Sequence, residues 1–298
     1  MKCSKCLQDA IIFQPYSGQH LCGQHIIADV EAKAKKVIRA HGWLKSGDHI
    51  AVFLSGDQSS SALLYFLKKL TAQRHDIRIT AIIITDKKSA NSDTLRAKRI
   101  AECLDTEFLE VSRSEESDSR AGTFMEKKQD LSPLPIFPTS HSILPDSIAK
   151  KHGITKIAWG LCLDDAAGVV LDHVIRGDGE KLVRNRSTMD TLIRICPFIA
   201  VTAAEVSLYA ELCGCGNEII INPELGDGLY KDVNDMLDRY TNNHPATKYA
   251  LLNLGENLMN LTTGIAGLIY ACECYGKYQR GSCNTGSVPN EGVTNGTR

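Results

Sequence analysis

No stretch of this sequence approaches the roughly 20 consecutive apolar residues that a membrane-spanning helix requires, and Met1-Lys2-Cys3 leads into polar residues instead of the apolar core of a secretory signal. A membrane protein and an exported one are both set aside, and the expectation is a cytoplasmic chain. Net charge is equally scarce. The 34 Lys and Arg against 35 Asp and Glu leave −1 over 298 residues, so the whole-molecule field does not draw in a phosphate backbone, and a nucleic-acid contact needs a local basic patch. Lys68, Lys69, Lys248 and Arg280 are the basic residues in view, and they read as a solvated surface. A disulfide framework is missing too. The 11 cysteines are odd in number and unevenly spread, which without a secretion signal favours metal ligands and free thiols. What is present is a globular composition, 43% hydrophobic and 23% charged, long enough for one large domain with appendages.

Residues 1–28 hold too few apolar side chains for a core of their own and need a metal to fold. Cys3-x-x-Cys6 and Cys22-x-x-His25 supply four ligands in two close pairs, the set and spacing of a tetrahedral structural zinc site with no open position for catalysis. A helical pattern over 29–41 follows, and from 48 to about 176 two element types alternate. Apolar runs at 49–54, 79–85, 107–111 and 155–159 predict buried strands, and amphipathic stretches at 59–73, 90–104, 142–152 and 164–175 predict helices. Repeated strand–helix units imply an α/β fold with a doubly wound parallel sheet covered on both faces. Residues 112–137 read as a surface loop, and from 200 the pattern turns helical, with a Thr202/Glu205 capping box and further helices over 229–240 and 245–260. The domain plan is a finger over 1–28, an α/β domain over 29–200, a helical part over 201–270, a second cysteine finger over 271–286 and a disordered tail over 287–298.

Ile50-Ala51-Val52-Phe53-Leu54 runs into Ser55-Gly56-Asp57-Gln58-Ser59-Ser60-Ser61 before a helix begins. A strand, a small-residue loop and a helix start gather backbone N–H groups and hydroxyls around an anion, although such caps also occur without a ligand. The segment resembles the PP-loop of N-type ATP pyrophosphatases, Ser-Gly-Gly-x-Asp-Ser. Ser55, Gly56 and Ser60 match it, while Asp57 stands where the second glycine belongs and Ser59 where the aspartate belongs. Gly160-Leu161-Cys162-Leu163-Asp164-Asp165-Ala166 resembles the Gly-His-Asn-Leu-Asp-Asp-Glu-Ala segment of tRNA thiolation proteins. With the finger and His244-Pro245-Ala246-Thr247-Lys248, these motifs mark a resemblance to the tRNA 2-thiolation (2-thiouridine) family over residues 1 to about 286.

That resemblance implies a PP-loop, adenine nucleotide alpha-hydrolase-like fold, with Ser55, Gly56 and Ser60 on ATP phosphates and Asp164 or Asp165 positioning magnesium or the nucleotide. It implies adenylation of a uridine C2 oxygen and sulfur delivery through an iron–sulfur cluster held by three cysteines. It also implies tRNA as partner, and it admits a sulfur-carrier protein and a homodimer. The spacing, however, aligns Thr139, Ser142 and Asn222 with the three cluster ligands, and Cys274 and Cys283 with only half of a second finger, Cys272 being a further candidate ligand. The resulting expectations are a structural zinc, weakened ATP and magnesium binding, and no iron–sulfur cluster. Functionally they favour impaired thiolation in a protein kept for tRNA or partner binding, against the alternative of an active ATP-dependent 2-thiouridine synthase.

Overall fold

The computed structural model describes residues 1–85, 92–112, 146–179, 182, 192–216 and 228–258. The chain opens with a two-stranded antiparallel hairpin, β1 (Ile12–Gln14) and β2 (Gln19–Leu21). Helix α1 (Gly23–His41) follows directly and ends on Gly42 in the left-handed conformation. The helix therefore begins six residues earlier than the apolar periodicity suggests, because its first turn is polar and belongs to the finger, with His25 on it.

Five parallel strands form the sheet in the order β5 (Phe108–Ser112), β4 (Arg78–Thr85), β3 (His49–Phe53), β6 (Lys156–Ala158), β7 (Ile193–Ile195). Between them run α2 (Gln58–Thr71), α3 (Ser92–Cys103), α4 (Asp146–Lys151) and α5 (Leu163–Arg176). Then come α6 (Ala203–Leu212), α7 (Gly228–Asn243) and a last helical stretch, α8, over 247–258. The doubly wound expectation holds. The four sequence-read strands fall within one or two residues of their places, and β7 is an addition. Strand order reverses between β3 and β6, and at such a switch point the loops leaving the carboxyl ends of the strands part and form a crevice.

Alternation along β3 sorts the core. Ile50 and Val52 join a cluster with residues of α1, α2, α3 and α6, including Val30, Phe66, Ala97 and Tyr209. Ala51 joins a second cluster with Ala149, Leu163, Ala166 and Leu252 from α4, α5 and α8. Cys3, Leu21, Cys22 and Ile26 belong to the first cluster, so the finger shares a core with the α/β domain. Among the described residues no helix is long and apolar enough to cross a membrane. The loop read over 112–137, the second finger with Cys272, Cys274 and Cys283, and the tail lie, all but Ser112, outside the described residues.

The amino-terminal edge of the sheet carries a buried polar network. Lys156 is paired with Asp48. The His49 ring meets the His152 carbonyl at 3.0 Å through Nδ1 and the Thr80 hydroxyl at 2.8 Å through Nε2. Burial, helped by the Arg78 charge, holds His49 below the usual imidazole range. The unfolded chain then takes up a proton that the native chain refuses, so stability is complete above about pH 6.5 and falls as the pH drops below it. A His49→Gln variant is expected to show a flatter dependence of Tm on pH between about 6.5 and 5. Parallel melting curves for the two proteins would refute this.

Candidate functional site: a phosphate loop and a four-ligand metal centre

The metal centre is assembled by the segment that precedes β1, which carries Cys3 and Cys6, and by the start of α1, which carries Cys22 and His25. Ligand atoms of Cys3, Cys6, Cys22 and His25 all lie within 4.8 Å of one another. Cys3 Sγ is 3.4 Å and Cys22 Sγ 3.2 Å from His25 Nδ1, and Cys6 Sγ is 3.7 Å from Cys22 Sγ. A tetrahedral zinc with Zn–S bonds near 2.3 Å requires sulfur–sulfur edges of about 3.8 Å. The three thiols and one imidazole therefore fit the ion. Burial opposes ionisation of Cys3, yet N–H donors from Lys5, Cys22 and Cys6 outweigh it and pull the thiol down to about 6. The thiolate that a metal needs is then available at neutral pH.

At the switch point, Leu54 still pairs with β4 through its N–H to the Ile82 carbonyl. The chain then turns through Gly56 at φ +87°, where an added Cβ would stand 2.6 Å from the Asp93 carbonyl oxygen of α3. Glycine is required there by conformation and by space. Asp57 is the N-cap of α2, and its Oδ1 accepts the Ser60 N–H at 2.7 Å. The Ser60 and Ser61 hydroxyls both donate to the Asp57 carbonyl, and Ser55 Oγ lies 3.2 Å from Ser60 Oγ. The three residues read as phosphate contacts are thus together, but Ser60 is buried and the helix start holds a carboxylate of the chain's own.

The second motif closes on the first. A Cβ on Gly160 would come within 2.8 Å of Ser60 N, so only glycine lets the strand β6 exit lie against the phosphate loop. Asp165 is half-buried, and its Oδ2 accepts from the Cys162 N–H at 2.8 Å and the Cys162 thiol at 3.0 Å. Desolvation, reinforced by the Asp164 and Asp57 charges, raises its pKa. Burial likewise pushes the Cys162 and Cys196 thiols well up, which leaves them poor nucleophiles. Asp164 is engaged through both oxygens, by Lys248 Nζ at 2.5 Å and by the Ala203 N–H of α6 at 2.7 Å.

Lys248 corrects the sequence reading. It is buried between Asp164 of α5 and Asp238 of α7, and it is not a solvated lysine. Lys68 donates to the Leu104 and Asp105 carbonyls, and Lys69 pairs with Glu31 at 2.6 Å. These three lysines are each committed elsewhere, and Arg280 lies outside the described residues. Sequence reasoning also missed the reach of Glu205. Its capping box was legible, but its side chain additionally accepts from Gln14, Tyr16 and Lys33.

Residues 2–25 match the family model described as 2-thiouridine synthetase TtuA, N-terminal LIM domain. The tRNA 2-thiolation protein NcsA of Haloferax volcanii is 25% identical over 282 residues, covering 88% of each chain. Over most of its length the chain is similar to tRNA 2-thiolation proteins. Another relative, cytoplasmic tRNA 2-thiolation protein 1 of Drosophila yakuba, is 25% identical over 70% of this chain and 63% of its own. Among solved structures, the U34-tRNA thiolase NcsA from Methanococcus maripaludis with its [4Fe-4S] cluster superposes with a TM-score of 0.70 over 87% of both chains at 23% identity, a likeness of fold. That thiolase overturns the expectation of no iron–sulfur cluster. A cluster is held on this fold, and the inference against it rested on the spacing of Thr139, Ser142 and Asn222, which lie outside the described residues. The expected absence does not stand.

Proposed function

We propose that this member of the tRNA 2-thiolation family binds tRNA or a protein partner through its finger and α/β body while its ATP-dependent step is impaired. The observation that supports this is the Asp57 carboxylate capping α2 at 2.7 Å from Ser60 N. Backbone N–H groups at a helix start following a strand are what a PP-loop offers to polyphosphate. Here one of them is already satisfied by an anion, and a nucleotide phosphate arriving beside it meets like charge. The loss of a carboxylate at Ser59 points the same way, since a serine there offers no acid for magnesium at the loop. Zinc held by Cys3, Cys6, Cys22 and His25 serves structure, because the four protein ligands complete its shell. A sulfur-carrier protein and a second copy of the chain are the further partners the family suggests.

Calorimetric titration of the purified full chain with ATP and magnesium tests the reading. Binding weaker than about 1 mM, near −4 kcal/mol, is expected. Micromolar affinity would instead support an active synthase that adenylates the uridine C2 oxygen.

A further inference from the structure

Helix α6 touches every part of the machinery. Its first residue donates the Ala203 N–H to Asp164 Oδ2 of the second motif. One turn on, the Ser207 hydroxyl donates to Gln58 Oε1 at 2.6 Å, and Gln58 is the first residue of the phosphate-loop helix α2. Between them sits Glu205, 1% exposed. It completes the cap of α6 by accepting the Thr202 N–H at 3.2 Å. It also accepts from Gln14 Nε2 at 2.5 Å, from the Tyr16 hydroxyl, and from Lys33 Nζ at 3.1 Å.

Gln14 ends β1 and Tyr16 lies in the turn to β2, so both donors belong to the hairpin that the Cys3, Cys6, Cys22 and His25 centre braces. A buried carboxylate with these partners has a narrow choice of positions, since moving it strands several polar groups at once. The far end of α6 is held too, as Leu212 packs against Gly23, next to the ligand Cys22.

We propose that Glu205 is a positioning residue that couples metal occupancy of the finger to the geometry of the phosphate loop. With the metal bound, the hairpin presents Gln14 and Tyr16 to Glu205, which fixes the first turns of α6 and through Ser207 fixes Gln58. When the metal leaves, the hairpin loses its brace, the Glu205 contacts open, and the start of α2 is freed. The coupling is reciprocal, as any equilibrium linkage is. It rests on the finger holding a metal and not on the strength of ATP binding, so a failed or a tight ATP titration leaves it standing.

Hydrogen–deuterium exchange of the zinc-loaded and chelated full chain, without nucleotide, is the test. Amides 58–63 report on α2, and amides 79–84 of β4 serve as internal reference. Chelation is expected to speed exchange at 58–63 by about fivefold or more, the lower end of typical coupling, with 79–84 unchanged. In Glu205→Ala, 58–63 should exchange fast with or without zinc. Should that variant not fold, Gln14→Ala combined with Tyr16→Phe cuts the same link from the finger side. The proposal is overturned if the purified chain carries no metal, if exchange at 58–63 ignores chelation, if 79–84 rises in parallel, or if the uncoupled variants still respond to zinc.

Discussion

Replacing Cys22 by Ser is expected to empty the finger and unfold residues 2–25 while leaving the parallel sheet intact. Cys22 has the most to lose among the four ligands. It is buried, it caps α1, and its sulfur stands 3.7 Å from Cys6 Sγ and 3.2 Å from His25 Nδ1. The hairpin has two strands of three residues each, far below what holds together without help. Structural zinc supplies an apparent 10–16 kcal/mol in comparable small modules, on the order of their whole folding free energy. A serine hydroxyl is a hard, weakly acidic donor and does not replace a thiolate in this set. Metal analysis should fall from about one zinc per chain to well below it, and limited proteolysis should cut within 1–22 and spare β3 and β4. Cys103→Ser, at an exposed cysteine outside the centre, is the control and should change neither readout. Full zinc retention in Cys22→Ser would show that the four-ligand geometry is not a metal site.

The features legible in the sequence share one property, which is that their cause is local. Ile50–Phe53 and Ala81–Ile84 are continuous apolar runs at the centres of β3 and β4, so they announce strands without reference to anything else. Thr202 and Glu205 form a capping box across three residues, and the structure forms it as read. Cys3, Cys6, Cys22 and His25 are legible because a metal dictates its ligands' spacing. Where the cause is distant, the reading fails. Strand β7 is Ile-Arg-Ile, three residues with a charge in the middle, and only its pairing with β6 makes it a strand. Lys248 looks like any surface lysine until α5 and α7 deliver Asp164 and Asp238 to it. Asp57 lies between these cases. An aspartate followed three residues later by a helical N–H is a standard N-cap, so its position is readable, while the Ser60 N–H that it occupies is seen only in the structure. The expectation of no iron–sulfur cluster failed differently, by treating the alignment of Thr139, Ser142 and Asn222 as if it fixed which side chains converge.

Asp57→Gly should strengthen binding of ATP and magnesium by ten- to a hundredfold, about 1.4–2.8 kcal/mol, with little loss of fold stability. Two effects add. The substitution vacates the Ser60 N–H, which Asp57 Oδ1 now occupies at 2.7 Å, and it removes a negative charge from the loop. Two unit charges 4 Å apart repel by about 4 kcal/mol at an effective dielectric of 20, and the half-exposed setting of Asp57 reduces that figure by solvent screening. The folding cost is small because glycine replaces an aspartate cap at a loss of a few tenths of a kcal/mol. The flanking geometry should survive, since Gly56, Asp93 and Gly160 hold the loop from either side. Asp57→Asn separates the two effects, for an asparagine still caps Ser60 but carries no charge. If charge dominates, both variants gain affinity. If occupation of the helix start dominates, only the glycine variant does. Unchanged affinity in both would mean that Asp57 is not what weakens the nucleotide site, and the impaired-chemistry reading would then lose its main support.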